Sequence, residues 1–156
     1  IAQLVSEKDH GMYDALNKGI ALATGDVIGI LNADDMLASP DVLSAIAKQF
    51  LNSDTDGVYG DLNYVHQTNV NEVIRKWRSK QYIKKDISNG WMPAHPTLYL
   101  KSSLFKKFGG YSLNFGTAAD YELILRFLYQ HEAKAIYLNK LFVNKIKNEM
   151  SLPNYR

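Results

Sequence analysis

The chain has 156 residues, a formal net charge of +2, 46% hydrophobic and 22% charged residues, which is the composition of one soluble globular domain with room for a core. So small a net charge excludes nucleic-acid binding by bulk electrostatics, and the absence of cysteine excludes disulfide scaffolds, thiolate metal sites and cysteine nucleophiles. No apolar run approaches the roughly 18 residues of a membrane span, and no signal peptide opens the chain.

The text starts at Ile1 as though inside a strand that runs into a functional loop, and it reads as a fragment. Met12, Ala15, Leu16, Ile20 and Ala23 then fall at helical spacing, between Asp9-His10-Gly11 and the stop signal Thr24-Gly25. The run Val27 to Leu31 is short and apolar throughout, as expected of a strand covered on both faces in a parallel sheet. It ends in Asn32-Ala33-Asp34-Asp35.

Ser39-Pro40 suits a helix start, and Val42, Leu43, Ile46, Ala47, Phe50 and Leu51 supply the buried stripe of the helix that follows. Past the turn at residues 53–57, Val58 to Leu62 reads as a strand, and the alternation of helix and strand indicates an α/β sheet. Val73 to Trp77 has the form of an edge strand, while Lys80 to Asp86 is polar without a period. Thr97 to Leu100 is expected to be a strand, Ser103 to Phe108 a short helix closed by Gly109-Gly110, and Thr117 to Gln130 a longer helix burying Leu123, Ile124, Phe127 and Leu128. Ala135 to Leu138 and Leu141 to Ile146 suggest two closing strands.

Ligands of open α/β sheets bind beyond the carboxyl ends of the strands, where Asn32, Asp34 and Asp35 stand. Adjacent carboxylates there call for a counter-charge, and a hard divalent cation bridging to phosphate oxygens is a natural one. An ordinary surface turn is the competing reading. Glu7, Asp9, Asp14 and Asn17 gather round the start of the first helix; capping and the helix dipole account for Asp9 well and for Asp14 in part.

Five separated motifs in one order carry a resemblance. They are Ser6-Glu-Lys-Asp-His-Gly-Met-Tyr-Asp-Ala-Leu-Asn-Lys-Gly19 with Ala23 to Asp35, the run Val58-Tyr-Gly-Asp61, the run Met92-Pro-Ala-His-Pro-Thr97, and Ala118-Ala-Asp-Tyr-Glu-Leu-Ile-Leu-Arg126. Together they resemble the family 2 glycosyltransferases of the GT-A fold over nearly the whole chain. The resemblance implies a Rossmann-like, mixed and mainly parallel sheet flanked by helices, in one partial domain spanning 1–156 that lacks the first strand-helix-strand unit and its base-contacting Asp. It also implies an inverting, metal-dependent transfer from a nucleotide-diphosphate sugar donor to a hydroxyl of a saccharide or lipid-linked acceptor. An isolated fragment of this kind is expected to bind donor weakly and to be inactive.

The same resemblance maps the DXD-type motif onto Asn32 to Asp35, with Asp34 at the ribose or diphosphate and Asp35 on Mn²⁺ or Mg²⁺; Asn32 stands where Asp is frequent. Asp14, Asn17, Asn32, Asp34 and His95 are the implied donor-side residues, and Asp120 matches the general base of inverting members. Each has a plainer alternative: Thr117-x-x-Asp120 has capping-box spacing, a lone His95 is commonly structural, Arg126 suits a helix salt bridge as well as a phosphate, and Trp77 and Trp91 suit core packing as well as a sugar platform. The basic stretch Arg75, Lys76, Arg78, Lys80, Lys84 and Lys85 suits a solvated face, or an anionic acceptor or membrane surface. A cytoplasmic location is expected, with peripheral membrane association and self-association through a bare sheet edge left open. A Rossmann-like nucleotidyltransferase and a non-catalytic sugar-binding relative are the rival readings.

Overall fold

The computed structural model describes residues 3–147. Its elements are α1 (Met12–Leu22), β1 (Val27–Gly29), β2 (Asp35–Leu37), α2 (Val42–Gln49), β3 (Gly57–His66), β4 (Val73–Trp77), α3 (Lys84–Ser88), β5 (Tyr99–Lys101), α4 (Ser102–Phe108), α5 (Ala119–Ile124) and β6 (Ala135–Lys147). A 3₁₀ turn at His95–Thr97 precedes β5, another at Leu113–Ala118 precedes α5, and a π-helical turn at Leu125–Gln130 follows it.

Five strands run in the order β1-β5-β3-β6-β2, with β4 pairing along β3 beyond β5. The mixed α/β architecture is the expected one. The balance of directions differs from expectation: among the described residues β3 and β6 pair parallel, and the other four pairings are antiparallel.

Strand alternation divides the core into two layers. Val58, Leu62 and Val143 face Val42 and Ile46 of α2, while Tyr59, Leu100 and Ala135 face Leu123, Ile124, Phe127 and Leu128 on the other side. The expected buried stripe of the last helix is therefore the observed one, although the helix is built of three geometries in succession.

Several expectations are corrected. β1 is not an inner parallel strand but an end strand antiparallel to β5; Gly29 lets the Tyr99 ring cross it, since a Cβ there would lie 2.1 Å from that ring. Asp35, expected in a loop, opens β2, because the chain turns at Asn32 and re-enters the sheet against Lys145, Asn144 and Val143. The two closing strands are one, β6, with register shifts opposite Tyr59 to Leu62 that absorb the polar Asn139-Lys140 pair. Thr97 ends a 3₁₀ turn rather than starting a strand, and residues 84–88 of the aperiodic middle form α3.

Candidate functional site

The site is built where the β3–β6 register breaks. Thr97 is wholly buried, and its hydroxyl accepts the Gly60 N–H at 3.4 Å and shares its one proton between the Ala94 carbonyl at 2.8 Å and the Gly60 carbonyl at 3.1 Å. A buried hydroxyl satisfied on both counts is a firm anchor. It pins the Met92–Thr97 segment to the centre of the sheet and so sets His95.

His95 Nε2 lies 2.6 Å from the Tyr111 hydroxyl, with the two rings edge to face at 5.6 Å. Tyr111 is itself held from two sides. Asn17 of α1 donates through Nδ2 to the Tyr111 carbonyl at 2.8 Å and accepts the Tyr111 N–H on Oδ1 at 2.7 Å. Gly110 allows this approach, because a Cβ on it would stand 2.2 Å from Asn17 Oδ1. Arg126 donates to the carbonyls of Phe108, Gly109 and Gly110, and pairs with Glu122 at 2.7 Å. The helix salt bridge is thus the observed role of Arg126, extended into a clamp on the turn that delivers Tyr111.

Asp120 lies in the first turn of α5, partly buried. The expected Thr117 cap does not form: α5 has Ala118 at its cap position with no side-chain cap bond, and Asp120 Oδ1 accepts the Tyr121 N–H at 2.8 Å. Burial raises the hydroxyl pKa values of Tyr13 and Tyr111, and the Asp120 charge raises both further. Tyr13 also donates to the Thr117 carbonyl at 3.4 Å and packs 5.3 Å from the Tyr111 ring.

Asp35 approaches from the other side. Its side chain has no exposed surface; Oδ2 accepts from Asn32 Nδ2 at 2.8 Å and Oδ1 pairs with Lys145 Nζ at 3.2 Å. Asp34 is exposed, and its carbonyl accepts the Ile146 N–H at 2.9 Å. His95 feels the charges of Asp120, Lys145 and Asp35. Desolvation lowers its pKa below the ordinary histidine value, the charges of Asp120 and Asp35 push it up, and Lys145 pushes it down.

Asn32 is bonded to Asp35, and the charges of Asp35 and Asp120 both bear on His95. Asn17 reaches the same place indirectly, as the support of Tyr111. Asp14 accepts the His10 N–H at 2.9 Å and lies 3.4 Å from Lys18, on a cleft of about 480 Å³ shared with Tyr13, Leu113, Gly116 and Thr117. Its pKa is lowered chiefly by that N–H.

Hard oxygen donors at Asn32, Asp34 and Asp35 are the right type for Mg²⁺ or Mn²⁺. As arranged, however, they do not fit a metal on Asp35, because the Lys145 ammonium stands 3.2 Å from its carboxylate and supplies the positive charge there. Among the described residues no group of three or more His, Asp or Glu side chains is placed to hold a metal ion.

Sequence reasoning missed Tyr13, Tyr111 and Lys145. Tyr13 and Tyr111 stand beside signals that were read, the first helix and the Gly109-Gly110 stop. Lys145 carries no local signal, since its role comes from the β2–β6 register. Trp77 and Trp91 pack against the two core layers, Trp91 stacked on Tyr82 at 6.3 Å. Half of the basic stretch is ion-paired, Arg78 with Asp61 at 3.5 Å, Lys80 with Asp86 at 2.8 Å, and Lys84 with Glu132, and Arg75 lies over the Tyr64 and Trp77 rings.

The chain is similar to known proteins in three ways. A model of glycosyl transferase family 2 matches residues 2–112, a span that includes Asn17, Asn32, Asp35, His95 and Tyr111 but not Asp120, Arg126 or Lys145. It is 33% identical over 125 residues to "Uncharacterized glycosyltransferase Rv1514c" of Mycobacterium tuberculosis, covering 78% of this chain and 45% of that protein. It is 31% identical over 122 residues to "PGL/p-HBAD biosynthesis glycosyltransferase Rv2957" of the same organism, covering 77% and 44%. The chain thus spans about half the length of the curated relatives it matches. A Bacillus anthracis structure provisionally named a glucose-1-phosphate thymidylyltransferase aligns at TM-score 0.44 and 14% identity, over 91% of this chain and 58% of that one, too distant to carry an argument. The matched span, holding the Asn32 to Asp35 turn, His95 and the Asn17 support of Tyr111, shows that this chain belongs to glycosyl transferase family 2.

Proposed function

We propose that the chain carries the donor-side and acceptor-side groups of an inverting transfer of a sugar from a nucleoside-diphosphate donor to a hydroxyl acceptor. One observation carries the reading: the span matched by glycosyl transferase family 2 holds both Asp35, which opens β2, and His95, whose imidazole feels the charges of Asp35 and of Asp120 on α5. Two motifs far apart in sequence thereby bear on one imidazole, which supports a reaction that joins donor and acceptor at one place.

In this reading Asp120 takes the proton of the acceptor hydroxyl, and the oxygen attacks the anomeric carbon from the face opposite the leaving group. The bond to the diphosphate breaks, and its electron pair leaves with the nucleoside diphosphate. His95, kept largely neutral by burial, donates or accepts a hydrogen bond without adding a charge; Tyr111 fixes its ring. Asp34 and Asn32, at the rim, are the donor-binding groups. A glycoconjugate acceptor, saccharide or lipid-linked, is in keeping with the relative named for PGL/p-HBAD biosynthesis.

Among the described residues no helix is long and apolar enough to cross a membrane. The test is a panel of UDP-, GDP- and TDP-sugars offered to the complete protein with saccharide and lipid-linked acceptors. Release of nucleoside diphosphate with an inverted glycosidic bond is expected. Release of pyrophosphate would assign the site to nucleotidyl transfer, and retention at the anomeric carbon would remove Asp120 as a simple base.

A further inference from the structure

We propose that Lys145 is the resident cation of the donor site: its ammonium, seated on Asp35, stands where a divalent ion is expected and contacts the donor diphosphate. This rests on the nucleotide-sugar reading above.

The geometry is specific. Asp35 and Lys145 are directly opposed in the β2–β6 ladder, and the Ile146 N–H donates to the Asp34 carbonyl at 2.9 Å, so the pair is set by backbone pairing and not by a chance rotamer. Asp35 has no exposed side-chain surface, and both of its oxygens are engaged. A buried carboxylate needs a compensating charge, and Lys145 supplies it. A divalent ion reaching Asp35 must first expel an ammonium that stands 3.2 Å from the carboxylate, against the repulsion of two cations.

Lys145 has capacity left for a ligand. Its ammonium offers three donors, its Asp35 contact takes one, and its side chain is 30% exposed. A lysine binds phosphate as a compact point charge. The β2–β6 register places Lys145 beside Asp35, and its charge also bears on His95. An anion arriving beside Asp34 meets a lysine already oriented by Asp35. In this arrangement Asp35 is a positioning residue for Lys145.

The test uses the complete protein, with Mn²⁺ binding followed by electron paramagnetic resonance and UDP, GDP and TDP binding followed by calorimetry in EDTA. Lys145→Gln and Lys145→Arg are compared with wild type, and thermal melts establish that each is folded. Expected are metal-free binding of a nucleoside diphosphate by wild type, its weakening by roughly tenfold or more in Lys145→Gln, its retention in Lys145→Arg, and tighter Mn²⁺ binding in Lys145→Gln. Tight Mn²⁺ binding by wild type that Asp35→Asn abolishes would overturn the proposal. So would nucleoside-diphosphate binding by wild type that requires a divalent ion, a result that needs no variant. Diphosphate binding indifferent to Lys145 sinks the proposal alone. No diphosphate binding under any condition, with or without Mn²⁺, sinks the nucleotide-sugar reading along with it.

Discussion

The Tyr111 hydroxyl and His95 Nε2 meet at 2.6 Å, and this contact joins the segment anchored by Thr97 to the segment clamped by Asn17 and Arg126. Each partner is held by its own backbone bonds, so removing the hydroxyl frees the imidazole without unfolding either segment. Tyr111→Phe is expected to lower stability by only about 1 kcal/mol. Transfer is expected to fall more than stability accounts for, with kcat affected and donor affinity little changed. Urea unfolding set beside steady-state kinetics checks the split; parallel losses would mean that the contact serves folding alone.

His95 gives the fold a defined pH response. Burial lowers its pKa, Asp120 and Asp35 oppose the shift, Lys145 reinforces it, and the neighbouring Tyr111 hydroxyl remains protonated. Between the folded pKa and the ordinary value near 6.5 the unfolded chain binds a proton that the folded chain does not. The His95 contribution to stability is thus complete above that ordinary value and is lost as pH falls through the window below it. Nuclear magnetic resonance titration of the ring should give a midpoint below that of free histidine, and His95→Gln should remove this part of the acid destabilisation. A midpoint at or above the free value would contradict the assignment.

Gly110 is required by the approach of Asn17 and not by its own backbone angles. A methyl there would lie 2.2 Å from Asn17 Oδ1, so Gly110→Ala must push α1 away or break the paired bonds to Tyr111. A stability loss of about 1–3 kcal/mol is expected, as for other overpacked sites. Asn17→Ala in the Gly110→Ala background should recover part of it, because the clash is with that side chain. Additive losses in the double-mutant cycle would contradict this.

Much of this was legible in the sequence. Helical spacing from Met12 located α1, and the four apolar residues from Leu123 to Leu128 located the buried face of the last helix, because amphipathic periodicity is local. The turn from Asn32 and the position of His95 were marked by their motifs, whereas Thr97, expected to start a strand, ends a 3₁₀ turn instead. What escaped depended on pairing between distant segments. Asp35 lies at the end of a loop motif, and only its register with Lys145 makes it the start of a strand. Asn139-Lys140 looks like a turn in isolation, yet the bulge opposite Tyr59 to Leu62 carries β6 straight through it. Asn17 has the residue type of a ligand group, but its amide is consumed in holding Tyr111.

The central claim, that Asp120 receives the acceptor proton at a centre shared with Asp35 and His95, is tested most directly by the single-turnover transfer rate of the complete protein carrying Asp120→Asn. The substitution keeps the shape of the side chain and removes its basicity. The account predicts a fall of roughly 100-fold or more at saturating donor, with donor affinity unchanged. A rate close to wild type would contradict it.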